Sequence, residues 1–128
     1  MTPQQLEAFV DTLADMKTRT LARMQGGARD LAGEDGPPPD LTDRASLEAD
    51  RNFALLMRER DRKLLTDIAQ ALTRIEAGEY GVCEECGEDI ALARLKARPM
   101  ATLCVNCQTA REEEESLRAA GAVGFFLA

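Results

Sequence analysis

Apolar residues recur at helical spacing over most of this chain. Leu6, Phe9, Val10, Leu13, Leu21 and Met24 form a stripe that weakens around Lys17, and it predicts a first helix over residues 2 to about 25. Thr2 is placed to cap that helix, Pro3 suits its first turn, and Gln5 completes a capping box. Gly26 and Gly27 read as stop signals, after which "ARDLA" can resume helix. A second stripe, Ala54, Met57, Leu64, Ile68, Ala71 and Ile75, follows 3,4 spacing and is interrupted by Asp61. It predicts one long helix over residues 44 to about 78 with a coiled-coil seam. At about 1.5 Å per residue this is a rod of roughly 50 Å.

Between the stripes lies "GEDGPPP", residues 33 to 39, which cannot be regular helix. Each proline lacks an N–H and restricts its predecessor. Two striped helices joined by a short apex most simply form an antiparallel hairpin. The alternative, two core helices of a larger bundle, needs partners that the rest of the chain does not supply. Past Gly78 the pattern changes. Residues 109 to 120 predict a last short helix with acids in its first turns, as the helix dipole prefers, and Glu112 to Glu115 read as a solvated face. The closing "GAVGFFLA" is apolar and either packs on the preceding module or frays. The expected fold is mainly α. Residues 1–79 form a hairpin with an acidic tip at about 30–45, and residues 80–128 form a small module with a C-terminal helix and an apolar tail.

Composition narrows the function. The 128 residues include no histidine or tryptophan and carry a formal charge of −7. An acidic chain is repelled by phosphate backbones, which disfavours general nucleic-acid binding. No nucleophile–base pattern and no P-loop occur, so no catalysis is expected. "MTPQQLEAFV" has neither a basic start nor an apolar run, and no stretch approaches the roughly 18 apolar residues of a membrane span. A soluble, cytoplasmic chain is expected.

Four cysteines carry the clearest chemistry. Cys83, Cys86, Cys104 and Cys107 are spaced C-x2-C-x17-C-x2-C. Two such pairs form two knuckles that set four thiolates around one ion, and Gly87 permits the tight turn after the first pair. Without histidine the site is all-cysteine, which suits one structural zinc ion with no open position. Iron in a rubredoxin-like electron carrier and a pair of disulfides are the alternatives. A module of this size buries too little core to fold without its staple. Arg94, Lys96 and Arg98 make a basic spot between the knuckles, and Arg58, Arg60, Arg62 and Lys63 make another midway along the long helix. Between residues 30 and 43 stand five acids (Asp30, Glu34, Asp35, Asp40 and Asp43) and no base. From the residues alone, Asp40 and Asp43 read as helix caps.

"DLTDRAS", then "RERDRKLL", then "YGVCEECGEDIALARLKARPMATLCVNCQ" resembles the DksA/TraR family of bacterial RNA polymerase regulators. The resemblance runs from about Asp40 to Gln108, and the chain resembles the shorter members at its N-terminus. It implies an antiparallel coiled coil on a zinc-finger globule. It also implies a protein that enters the secondary channel of RNA polymerase, without binding promoter DNA, and modulates initiation at promoters such as those for ribosomal RNA. Asp40, Asp43 and Ala45 match the family's functional tip, and Arg58 and Arg60 match its polymerase-contacting positions. Many members act with the alarmone ppGpp, and the matching positions here are Leu64, Asp67, Arg98 and Gln108. Leu64 and Arg98 fit. Asp67 and Gln108 stand where lysines are expected, and Asp67 repels phosphate, so weak or absent ppGpp dependence is expected. A zinc-stapled adaptor or chaperone-like protein for another cytoplasmic partner is the alternative function. The chain is expected to be a monomer.

Overall fold

The computed structural model describes residues 1–31 and 40–127. The predicted apex "GEDGPPP", with Glu34 and Asp35, lies outside the described residues. Four helices follow in order: α1 (Pro3–Leu31), α2 (Leu41–Glu76), α3 (Leu92–Ala97) and α4 (Val105–Leu127). Among the described residues, β pairing is limited to the antiparallel bridge between Val82 and Asp89. The fold is therefore mainly α, as expected. The chain divides into two compact units, Thr2–Thr73 and Arg74–Ala128, the latter with Met1.

In the first unit α1 begins as its sequence predicts. The Gln5 N–H donates to Thr2 Oγ1 at 3.2 Å, and the Thr2 N–H donates to Gln5 Oε1 at 2.9 Å. This reciprocal box satisfies N–H groups that the first turn would otherwise leave open. Phe9, Leu13 and Thr20 are buried on α1, and Ile68 and Ala71 are buried on α2. Arg23 Nη2 meets Asp61 Oδ1 at 2.9 Å, which sets the antiparallel register.

Asp61, which breaks the apolar stripe, sits on the seam with its side chain only 13% exposed. Arg23 supplies the opposite charge that makes its burial tolerable. On α1 the seam position belongs to Thr20 and not to Leu21, which is 42% exposed. The 3,4 rhythm from Leu13 passes through Met16 to Thr20 and Met24, so Leu21 falls one residue out of phase. Thr20 occupies the seam because its hydroxyl donates to the Met16 carbonyl at 2.7 Å.

Three helices differ from expectation at their boundaries. Helix α1 runs through Gly26 and Gly27 to Leu31. Positive φ among the described residues is confined to Gly78, Gly81 and Gly87, so Gly26 keeps helical geometry and stops nothing. Helix α2 starts at Leu41, three residues before the expected Arg44, because Asp40 caps it. Helix α4 spans Val105–Leu127, longer at both ends than the predicted 109 to 120. Its backbone stays helical through most of "GAVGFFLA", the tail expected to pack or fray.

Where α2 ends, the stop signal acts as read. Gly78 takes φ +74°, with its N–H on the Ile75 carbonyl (3.2 Å) and the Glu79 N–H on the Arg74 carbonyl (2.9 Å). This pair of bonds is a Schellman motif, which closes the last turn through a left-handed residue that favours glycine.

A Cβ added at Gly26 would meet nothing within 4 Å. Gly26→Ala therefore stabilises the protein by about 0.5–1 kcal/mol through helix propensity alone. Chemical denaturation of the zinc-loaded protein, followed by far-UV circular dichroism, checks this; a loss of stability refutes the helical assignment.

Candidate functional site

The second unit is built around the cysteines. After the Schellman turn, the Val82 N–H donates to the Glu79 carbonyl at 3.3 Å, and Gly81, at φ +83°, occupies the left-handed position of that turn. The chain then makes a short hairpin: the Cys83 N–H donates to the Glu88 carbonyl (2.8 Å), and the Ile90 N–H donates to the Gly81 carbonyl (2.7 Å). Between these bonds Cys83-Glu84-Glu85-Cys86 forms the first knuckle. Gly87 closes it at φ +74°, its N–H on the Cys83 carbonyl at 3.0 Å. The second knuckle leads into α4: the Cys107 N–H points at Cys104 Sγ (3.5 Å), and the Gln108 N–H donates to the Cys104 carbonyl (2.9 Å). A cross-link joins the two, from the Glu84 N–H to the Thr102 carbonyl at 2.9 Å. Behind them lie the buried side chains of Tyr80, Ile90, Leu95 and Leu103. The Tyr80 hydroxyl donates to the Pro99 carbonyl at 2.7 Å. Burial, partly offset by the charge of Arg74, pushes that phenol up to about 12.

The four sulfurs lie within 4.8 Å of one another, and Cys86 Sγ and Cys104 Sγ are 3.8 Å apart. Four sulfurs at about 2.3 Å from one zinc ion form a tetrahedron with edges of about 3.8 Å, so the cluster has the right size. All four cysteines are free, and 3.8 Å is far beyond the roughly 2.05 Å of a disulfide bond.

The electrostatics ask for a cation. Backbone N–H groups of Cys86 and Cys104 lower the Cys83 thiol to about 6. At Cys86 the Glu88 backbone N–H favours the thiolate, but the sulfurs of Cys83 and Cys104, with burial, raise the thiol overall. Hydrogen bonding with the Cys104 and Cys83 sulfurs raises Cys107 strongly. One thiolate is thus favoured, and Cys86 and Cys107 are held protonated by the charge they would add. A divalent, thiophilic ion removes that conflict.

The other candidate residues lie elsewhere. Asp40 is the N-cap of α2: its Oδ1 accepts the Asp43 N–H at 2.8 Å, and its carbonyl accepts the Arg44 N–H at 2.9 Å. Asp43 occupies the first turn, exposed, its carboxylate without a partner among the described residues. Ala45 is exposed beside it. Further along α2, Arg60 is exposed and Arg58 half-buried, with the Arg58 Nε buried and unpartnered among the described residues. Leu64 and Asp67 are half-buried on α2. In the second unit Arg98 is exposed just past α3, and Gln108 Nε2 donates to Glu112 Oε1 at 2.9 Å. Sequence reasoning missed Arg74, whose guanidinium donates to the Val82 carbonyl at 2.5 Å and to the Glu79 carbonyl at 3.1 Å. Its place in the last turn of α2, just before the knuckle, was the available signal.

Comparison with known proteins agrees with this geometry. Residues 78–113 match the family model described as the prokaryotic dksA/traR C4-type zinc finger. Residues 5–75 match that of the DnaK suppressor protein DksA N-terminal domain. The chain is 46% identical over 115 residues to the RNA polymerase-binding transcription factor DksA of Caulobacter vibrioides, covering 90% of this chain and 81% of that protein. It is 39% identical over 110 residues to the protein of the same name from Escherichia coli strain K12, covering 86% of this chain and 68% of the relative. Among solved structures it is similar to the transcription factor DksA2 from Pseudomonas aeruginosa. That match has a TM-score of 0.78 and 39% identity, and covers 91% of this chain and 89% of the other. The four cysteines thus form a C4 zinc finger, and the zinc is structural.

Zinc binding releases the protons that Cys86 and Cys107, raised above the usual thiol range, otherwise retain. Apparent zinc affinity therefore rises with pH, by about tenfold per unit for each proton released, and falls on acidification. Chelator competition at a series of pH values checks this; a flat profile overturns it. Cys86→Ser removes one ligand and is expected to unfold the second unit while α1 and α2 keep their helicity, a difference visible by amide hydrogen exchange.

Proposed function

The chain belongs to the DksA/TraR family, and from that membership we propose that it is a transcription regulator acting by direct contact with RNA polymerase. In this reading the hairpin of α1 and α2 enters the secondary channel and the start of α2 works near the active-site region. The observation that carries it is the division of labour between two aspartates. Asp40 is spent on the cap, and Asp43, one turn on, is exposed and without a partner among the described residues. The caps-only reading from composition thus holds for Asp40's side chain and leaves Asp43, beside Ala45, available to a partner.

Other features of α2 support the same reading. Leu47, Phe53, Leu55 and Leu56 are each at least half exposed, a concentration of apolar surface that favours a protein partner. Arg58, half-buried, and Arg60, exposed, add cations to this stretch of α2 that suit carboxylates on a polymerase surface. Among the described residues no helix is long and apolar enough to cross a membrane, in keeping with a cytoplasmic protein. The protein works as a monomer, since a free hairpin is what a channel admits. It has no catalytic role: its zinc is structural, and Asp43 stands exposed to solvent.

Coupling to ppGpp is weak or absent in this reading. Leu64 and Arg98 are retained, but Asp67 adds negative charge where phosphate would sit, and the Gln108 amide is already held by Glu112.

Transcription in vitro from a ribosomal RNA promoter with purified bacterial polymerase tests the proposal. The unmodified protein is expected to inhibit. Asp43→Asn is expected to bind polymerase equally and to lose about tenfold in inhibition, the equivalent of ~1.4 kcal/mol. Failure of the unmodified protein to bind polymerase overturns the proposal and favours the adaptor alternative.

Adding ppGpp is expected to change the unmodified protein's effect less than about twofold, and Asp67→Lys combined with Gln108→Lys to raise the response. A tenfold ppGpp-dependent gain by the unmodified protein refutes the weak coupling.

A further inference from the structure

Two arginines do the same thing at the two halves of the zinc centre. Arg74 Nη2 donates to the Val82 carbonyl at 2.5 Å, and Val82 immediately precedes Cys83, the first cysteine of the first knuckle. Arg94 Nε donates to the Leu103 carbonyl at 2.9 Å, and Leu103 immediately precedes Cys104, the first cysteine of the second. One arginine comes from the last turn of α2 and the other from α3, so two different helices converge on equivalent backbone atoms. Arg74 also donates to the Glu79 carbonyl at 3.1 Å and pairs through Nη1 with Glu84 Oε1 at 3.2 Å, and its side chain is only 13% exposed. The Glu84 N–H donates across to the Thr102 carbonyl, closing a continuous path from one arginine to the other through both knuckles.

Neither contact is what a surface cation would make. A solvated arginine keeps its guanidinium in water, whereas these two are drawn inward by carbonyl groups that no regular helix or sheet satisfies. The acceptors sit where the chain must turn so that the following cysteine can face the metal. A zinc ion with four thiolates carries a net charge of −2, so a guanidinium held nearby also offsets excess negative charge.

We propose that Arg74 and Arg94 are paired positioning residues for the zinc centre, each fixing the carbonyl before a knuckle's first cysteine and thereby slowing loss of the metal. This role is separate from any polymerase contact and rests on the second unit alone. Arginine suits it better than lysine. Its planar fork reaches several oxygens in fixed directions, and Arg94 uses Nε, a donor that lysine lacks.

The experiment is zinc transfer from the fully loaded, full-length protein to a chromogenic chelator, measured as a rate. Arg74→Met and Arg94→Met are each expected to speed transfer by about tenfold or more, the range in which outer partners of metal ligands act. Arg74→Lys and Arg94→Lys keep the charge but lose the fork; they are expected to release zinc nearly as fast, and they carry the test should a methionine variant not load. Arg111→Met is the control. Arg111 pairs with the Glu85 side chain inside the first knuckle but is itself half exposed, and its release rate is expected to match the parent. In the cobalt-substituted protein, both arginine-to-methionine variants are expected to shift the ligand-field bands while far-UV helicity stays unchanged. Release within about twofold of the parent for both arginine sites overturns the proposal. So does restoration of the parent rate by lysine, or equal acceleration by Arg111→Met, since either outcome assigns the effect to charge alone.

Discussion

Four sulfurs within 4.8 Å of one another are an unstable arrangement unless a cation lies between them. The second unit depends on this one constraint. Its buried side chains are few, chiefly Tyr80, Ile90, Leu95 and Leu103 around Cys83, and its hairpin amounts to a single bridge. Such a core cannot offset the conformational entropy of ordering the chain. Zinc supplies the missing free energy, and it does so only if both knuckles are shaped in advance to meet it. The glycines at left-handed φ, the arginines on the carbonyls and the Tyr80–Pro99 bond all serve that shaping. A closed four-thiolate metal centre has no position left for a substrate, so the chemistry it supports is architecture.

The hairpin solves a different problem. Its seam is not uniformly apolar: Thr20, Arg23 and Asp61 form a polar interruption midway. A buried charge with a partner is tolerated, and it is costly to shift out of register, because sliding would leave Asp61 among apolar groups. The long apolar faces could pair in several offsets, and the ion pair selects one. The exposed start of α2 is then free to carry residues chosen for a partner instead of for packing.

Much of this was legible in the sequence, because the legible parts rest on local chemistry. The Thr2–Gln5 box, the Gly78 stop and the C-x2-C spacing each depend on residues a few positions apart, and each appears as read. The misreadings came where a single residue's preference yields to the run of helix around it. Gly26 and Gly27 stay helical although glycine is a poor helix former, and Leu21 yields the seam to Thr20 because phase outranks hydrophobicity. Arg74 was missed for a related reason: its place in the last turn of α2 is a signal only of position, and does not announce that its guanidinium turns inward to backbone carbonyls. The proposed tip rests on resemblance, since an aspartate that only caps and one that awaits a partner look alike in one dimension.

Helix α2 runs unbroken for 36 residues from Leu41 to Glu76, which makes it a ruler with a phase as well as a length. Each residue added or removed between Asp43 and the seam residues Ile68 and Ala71 changes the reach by about 1.5 Å and also turns Asp43 by about 100° about the helix axis. The reach error is small; the rotation would swing the carboxylate to another side of the rod. Length in this helix can therefore drift only in whole heptads, matched by an equal change in α1. Under the proposed role of Asp43, a single-residue deletion in α2 is therefore a more severe change than many substitutions on its exposed face.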